Sequence, residues 1–295
     1  MTTPAGITLL DGGMGQELIR RWGRPATPLW STAMLLEAPE LVTQLHGDFI
    51  AAGAEVIIVN AYAVTPPRLA REGLEERFQE LQTIALEAAQ EARDQGGEGV
   101  RIAGCLPPLV ASYRPDLARP EDAALEDYRR IVAAQAHGVD FFLCETLPSI
   151  AEARVATTAA RESGKPVWTA LTVDDADGTR LRSGESLVAG FEAAREAGAE
   201  AVLVNCSTPE ATAVAMATVA PQGGRFGAYA NGFVSVAPLQ PGGTVDALEA
   251  RRDLDPEAYA EAAMAWVATG AVIVGGCCEV GPAHIRALGR RLGRG

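Results

Sequence analysis

Short runs of Val, Ile and Leu alternate along this chain with longer stretches in which apolar residues recur at helical spacing. The short runs are Ile7–Gly12, Val56–Tyr62, Arg101–Leu106, Phe141–Glu145, Val167–Val173, Ala201–Cys206, Arg225–Ala230 and Ala271–Gly276. Near-continuous apolarity over so few residues suits strands covered on both faces. Between them, Pro39–Ala52, Glu72–Asp94, Pro120–Ala136, Ile150–Ser163 and Pro256–Thr269 predict helices. Gly53, Gly138, Gly164, Gly198 and Gly270 follow the last helical turns and read as stop signals.

Eight strand–helix units, spaced at roughly 30–40 residues, meet the length that a parallel crossover needs. Their number points to a closed (β/α)8 TIM barrel more than to an open doubly wound sheet. No Gly-x-Gly-x-x-Gly pattern opens a helix after the first strand, which weakens a dinucleotide-binding alternative. No linker composition divides the 295 residues, so one domain is expected. Asn231–Asp255, with Pro238, Pro241, Gly242 and Gly243, reads as a long active-site loop.

A net charge of −13 argues against nucleic acid or an anionic membrane surface as partner. The first residues lack a basic segment followed by an apolar run, and no stretch reaches membrane-spanning length, so the cytoplasm is the expected location. The five cysteines, Cys105, Cys144, Cys206, Cys277 and Cys278, are an odd number. Without an export signal they read as free, metal-bound or catalytic thiols and not as a disulfide framework.

In a (β/α)8 barrel the chemistry lies where strands end. Every cysteine falls at such an end, alongside Asp11-Gly12-Gly13, Asn60, Tyr62, Glu145 and Asn231. Cys206, Cys277 and Cys278 form a soft donor set suited to tetrahedral Zn²⁺ with one position open. Neighbours in a regular strand face opposite ways, so Cys277 and Cys278 share an ion only if the chain turns there, which Gly275 and Gly276 permit. Small core residues or a vicinal disulfide are the other readings of that pair. Cys105 and Cys144 read as buried packing thiols, with Cys144 facing away from the lumen if Glu145 faces in. Asp11 and Glu145 either form structural ion pairs or hold a cationic ammonium group, while amides at Gly12 and Gly13 could receive a carboxylate. His46, His137 and His284 sit in helical segments and read as structural.

With these motifs in view, the chain resembles the homocysteine S-methyltransferase family over nearly its whole length. The resemblance rests on LLDGGMGQEL (Leu9–Leu18), PLWS (Pro28–Ser31), LHGDFIAAGAEVIIVNAY (Leu45–Tyr62) and GVDFFLCETLPSIAEA (Gly138–Ala153). It continues in LRSGES (Leu181–Ser186), LVNCSTPE (Leu203–Glu210) and, most specifically, GGCCEVGPAHI (Gly275–Ile285). It implies a zinc ion on Cys206, Cys277 and Cys278. It further implies that Asp11 and Glu145 contact the amino group of homocysteine, with backbone amides after Asp11 on the carboxylate. The partners so implied are homocysteine and a small methyl donor, a sulfonium such as S-methylmethionine or S-adenosylmethionine. Trp30 could face the donor cation, and Asn231 could line the same cleft. The stretches CLPPLVASYRP (Cys105–Pro115) and ANGFVS (Ala230–Ser235) depart from the family pattern where the donor is expected. They leave open a zinc–thiolate enzyme with another acceptor or donor, or a binder without activity.

Overall fold

The computed structural model describes residues 6–24, 31–244 and 247–294. Eight parallel strands run in the order β1-β8-β7-β6-β5-β4-β3-β2. They are β1 (Thr8–Leu9), β2 (Val56–Ile58), β3 (Arg101–Leu106), β4 (Phe141–Leu147), β5 (Val167–Leu171), β6 (Ala201–Asn205), β7 (Phe226–Tyr229) and β8 (Ile273–Val274). A parallel bridge between Leu10 and Val56 closes the ring. Around it, the Asp11 amide donates to Val56 O at 2.9 Å and the Glu55 amide to Leu9 O at 2.8 Å. The expected (β/α)8 barrel is therefore the observed one.

Strands are shorter than the apolar runs because the last residues of each run leave the ladder to form the rim. Inside, Leu10, Val56, Ala103, Leu143, Ala170, Leu203 and Ile273 pack together. At the N-terminal end of the strands Phe141 and Trp168 stack at 4.3 Å between ring centres and fill the lumen. The barrel is thus solid below and can be entered only at the opposite rim.

The helices that cover the strands include α1 (Met14–Trp22), α3 (Pro39–Ala51), α5 (Phe78–Gly96), α6 (Glu121–Gln135), α7 (Ile150–Arg161) and α10 (Pro256–Ala268). In α6 the buried stripe Ala124, Tyr128, Ile131, Val132, Gln135 recurs at helical spacing. Ser149 caps α7 by accepting from the Glu152 amide at 3.2 Å, and Asp255 caps α10 through the amides of Glu257 and Ala258. The segment expected as one helix from Glu72 begins instead as a 3-10 turn, Glu75–Arg77, preceded by a short helix α4 (Pro66–Arg71). Gly53, Gly164, Gly198 and Gly270 hold left-handed backbone as stop signals should, whereas Gly138 is not among the positive-φ glycines. A Cβ at Gly138 would lie 2.5 Å from Gln90 Nε2 and 2.6 Å from Leu86 Cδ2, so close packing against α5 explains that glycine. Among the described residues no helix is long and apolar enough to cross a membrane.

Candidate active site

At the open rim a cleft of about 680 Å³, counting its mouth, is lined by residues from Asp11–Gln16, the end of β2, Tyr113, Glu145, Cys206, Tyr229 and Gly276–Cys278. Cys206, Cys277 and Cys278 occupy one part of it, with their three sulfur atoms within 4.8 Å of one another. The turn that the glycine pair permits is present: β8 ends at Val274, the Val280 amide donates to Cys277 O, and Glu279 takes left-handed backbone. Cys206 is likewise left-handed at φ 51°, which turns its thiol in from the end of β6. Burial pushes the Cys278 thiol up to about 12.

One expectation about these thiols is corrected. Cys206 and Cys277 are joined as a disulfide across 71 residues, leaving Cys278 with Cys105 and Cys144 as free thiols. The Cys278 sulfur lies 4.0 Å from that of Cys206. The pairing is neither vicinal nor a framework bridge. It arises because barrel closure aims the ends of β6 and β8 at one point, the same convergence that a shared ion requires.

Opposite the sulfurs sit Asp11 and Glu145, both buried and, among the described residues, without an ion pair. The structural salt bridge weighed for them is absent from that set. Asp11 Oδ2 accepts from the Ile58 amide at 2.8 Å, while its Oδ1 is buried without a partner among the described residues. Burial first, and then the neighbouring Glu145 charge, hold the Asp11 carboxyl well above the ordinary carboxylate range, although the Ile58 bond pulls the other way. Burial raises Glu145 to about 7 despite bonds from the Cys105 thiol and the Tyr229 hydroxyl. Those groups lie 3.0 and 3.4 Å from its two oxygens. Two buried carboxyls facing one cleft, with no ion pair among the described residues, are a receptor for a cation.

The aim of Glu145 is set locally. The β4 ladder shifts register between Cys144 and Leu147, and Thr146 takes left-handed backbone at φ 62°. Asn205 fixes that kink, accepting from the Thr146 amide at 2.9 Å and donating to its hydroxyl at 2.8 Å. Cys144 points outward into the helix-facing core, as its alternation with Glu145 predicts. Cys105 is more than a packing thiol, since it donates to Glu145. Tyr229, Tyr113 and Gln16 also line the cleft and were not singled out from the sequence. An alternation count along β7 would have found Tyr229, whereas Tyr113 lies in an irregular loop.

The other expected site residues are placed as follows. Gly12 and Gly13 line the cleft, but the Gly13 amide already donates to Val280 O at 2.9 Å. The Gly12 amide donates to no backbone carbonyl among the described residues, and it is left for an anion together with the first-turn amides of α1, Met14–Gln16, which have no intrahelical partner. Asn231 is fully buried with Oδ1 accepting from the Phe233 amide, and it is not among the residues lining the cleft. Trp30 lies outside the described residues. The glycines are required by the cysteine turn: a Cβ at Gly12 would stand 2.1 Å from Val280 O, and one at Gly13 2.5 Å from Cys277 O. Gly12→Ala is therefore expected to lower thermal stability by about 1–3 kcal/mol. An unchanged melting temperature would show that the turn yields more easily than this packing implies.

A parallel barrel with a thiol cluster and unpaired carboxyls at its C-terminal rim defines an enzyme site built for polar small molecules and soft-ligand chemistry. Comparison with known proteins specifies the class. A model of the homocysteine S-methyltransferase family matches residues 8–292, and the chain belongs to that family and so to the methyltransferases. It is 32% identical to the homocysteine S-methyltransferase of Escherichia coli K12 over 97% of this chain and 95% of that one. It is 27% identical to homocysteine S-methyltransferase 1 of Arabidopsis thaliana, over 98% and 94% respectively. The crystal structure of the metallated form of the homocysteine methyltransferase MmuM from Escherichia coli superposes with a TM-score of 0.81 at 28% identity, covering 97% of this chain and 96% of that one. The oxidized form of the same enzyme superposes at 0.80, again at 28% identity over 97% and 96%.

Proposed function

We propose that this chain, acting as one catalytic domain, transfers a methyl group from a small sulfonium donor to the thiol of homocysteine, with zinc held by Cys206, Cys277 and Cys278. The observation that carries the reading is the pairing within one cleft of three convergent sulfurs with two buried, unpaired carboxyls. The donor set fits zinc: three soft ligands lie within 4.8 Å of each other, with no histidine or carboxylate in the group. Existence of metallated and oxidized forms of MmuM supports treating the disulfide and the ion-bound state as alternatives for one sulfur set. When bound, zinc supplies the acidity that makes an alkyl thiol a thiolate at neutral pH.

The protein's own groups do the rest. Asp11 and Glu145 receive the homocysteine ammonium, which recharges both carboxyls as it binds. Its carboxylate meets the first-turn amides of α1, where the helix dipole favours an anion. Holding the amino acid at both charges leaves its thiol at the cysteine end, so only the donor has to be positioned. Tyr62 and Tyr113 line the rest of the cleft, where the donor is placed. Thiol ligands favour a reducing compartment, and the cytoplasm is the proposed location.

The test uses reduced, zinc-loaded protein with homocysteine and, in parallel, S-methylmethionine, S-adenosylmethionine, glycine betaine and a methylated folate. Methionine is expected from a sulfonium. Methionine from betaine or folate alone would replace the donor assignment, and none from any donor would overturn the reading.

A further inference from the structure

Beside the cleft, on the β2–β3 side, the rim carries a second, smaller hollow whose walls include Arg68, Arg71, Ser112, Gln240, Pro241 and Gly242. Arg68, on α4, is only 6% exposed. Its Nη2 donates to Pro108 O at 2.9 Å and to Ser112 Oγ at 3.5 Å, and its Nε is buried with no hydrogen-bond partner among the described residues. No carboxylate of the described residues forms an ion pair with it; Glu152 feels its charge without reaching it. Arg71 adds a second positive charge: burial first, and then the Arg71 charge, lower the Arg68 pKa although Tyr62 pulls the other way, and Arg71 is itself paired only loosely with Glu72 at 3.6 Å. A guanidinium does not shed its proton in proteins, so a buried one without a counter-ion is a standing cost unless a ligand meets it.

The hollow adjoins the main cleft. The Arg68 guanidinium lies 5.1 Å from the ring centre of Tyr62, whose hydroxyl is 2.8 Å from Ser112 Oγ, and Tyr62 also lines the main cleft. Thr65 fixes this geometry, accepting from the Arg68 amide at 3.4 Å and donating to Leu109 O at 2.6 Å. Loop 240–243 closes the far wall: a Cβ at left-handed Gly242 would stand 3.5 Å from Arg71 Nε. Of these walls, the arginines belong to α4 after β2, Val110–Ser112 to the loop after β3, and Leu239–Gly243 to the loop after β7.

We infer that Arg68, assisted by Arg71, binds the carboxylate of the methyl donor, so that the donor is an onium amino acid held at its acidic end by this hollow. The inference rests on the proposed methyl transfer and names the donor's second recognition point. Homocysteine's own carboxylate is accounted for at α1, which leaves the two arginines for the other substrate. A donor spanning the two would present its cationic end to the aromatic rings and the sulfurs while its anionic end offsets the buried guanidinium. Arg68 is thereby a specificity-determining residue that does not touch the transferred methyl group.

Calorimetry on the zinc-loaded protein without homocysteine, where no turnover can occur, tests this with two probes, S-methylmethionine and its carboxamide, which keeps the sulfonium and loses the acid; methionine formation is measured separately with homocysteine present. The wild type is expected to prefer the acid by about tenfold or more, the usual worth of a charge-assisted bond. Arg68→Gln should reduce that preference to less than about threefold, with homocysteine affinity unmoved. Arg71→Gln alters a side chain that is one-third exposed (33%) and should reduce it in part without risk to folding. Equal binding of both probes to the wild type overturns the inference, as does an unchanged preference in Arg68→Gln and Arg71→Gln. Methionine formed equally well from acid and amide would remove this site while sparing the methyltransferase reading. Acid preference with no methionine from either probe or any other donor would do the reverse, and failure of both probes to bind would overturn the inference.

Discussion

Cys206→Ser protein is expected to lose its zinc and its methyl transfer together. Removing one of three sulfurs within 4.8 Å leaves two donors from a single turn, too few to close a tetrahedral site with a substrate thiol. Loss of an outer-shell partner alone typically costs 10–100-fold in metal affinity or activity, so loss of a ligand should exceed about a hundredfold in both. Serine suits this test because it keeps the size and polarity of a residue held at φ 51°. Cys105→Ser is the control, since that thiol bonds Glu145 and lies outside the sulfur cluster, and its zinc content should match the wild type. Metal analysis and methionine formation, measured on the same reduced preparations, check the pair. Full turnover by a zinc-free Cys206→Ser protein would end the proposed mechanism.

The second large effect belongs to Glu145→Gln, which keeps the shape of the side chain and removes its charge. Homocysteine affinity should fall by about 10–100-fold, the range for a hydrogen bond to a charged group, with zinc retained. The pH dependence follows from burial raising Glu145 to about 7. Below that pH the carboxyl is neutral and binding an ammonium requires it to give up a proton, so affinity should weaken by up to about tenfold per unit as pH falls. Asp11, Cys105 and Tyr229 face the same carboxyl, and Asp11, raised in the same direction, steepens the loss. In Glu145→Gln the Glu145 part of that slope should vanish. The stability sign is separate: a carboxyl whose folded pKa lies above its unfolded value stabilises most below the unfolded value, and that contribution is lost as pH rises through about 7. Glu145→Gln should therefore be no less stable than wild type at pH 8, as a thermal melt would show. Unchanged homocysteine affinity would remove Glu145 from the site.

Much of this was legible in one dimension. The eight apolar runs, their helical intervals and the glycines that follow them specify a barrel because strand and helix periods are local properties of the chain. The rim chemistry was legible for the same reason: once strand ends are known, Cys206, Cys277, Cys278, Asp11 and Glu145 fall on one face of the barrel without further assumption. What stayed hidden depended on which rim groups meet. Nothing near Cys105 in sequence indicates that its thiol reaches Glu145 across 40 residues, and nothing near Gly13 shows that Val280 has claimed its amide.

The sequence by itself thus determined the architecture, the ring of candidate residues and the likeness to a family of methyltransferases. Folding in three dimensions is what pairs Cys206 with Cys277, aims Glu145 through a kink at Thr146, and buries Arg68 beside Tyr62 with no counter-ion among the described residues. The physical reason is that periodicity and composition act over a few residues, whereas barrel closure and backbone left-handedness at Thr146, Cys206 and Glu279 set directions between segments far apart in the chain.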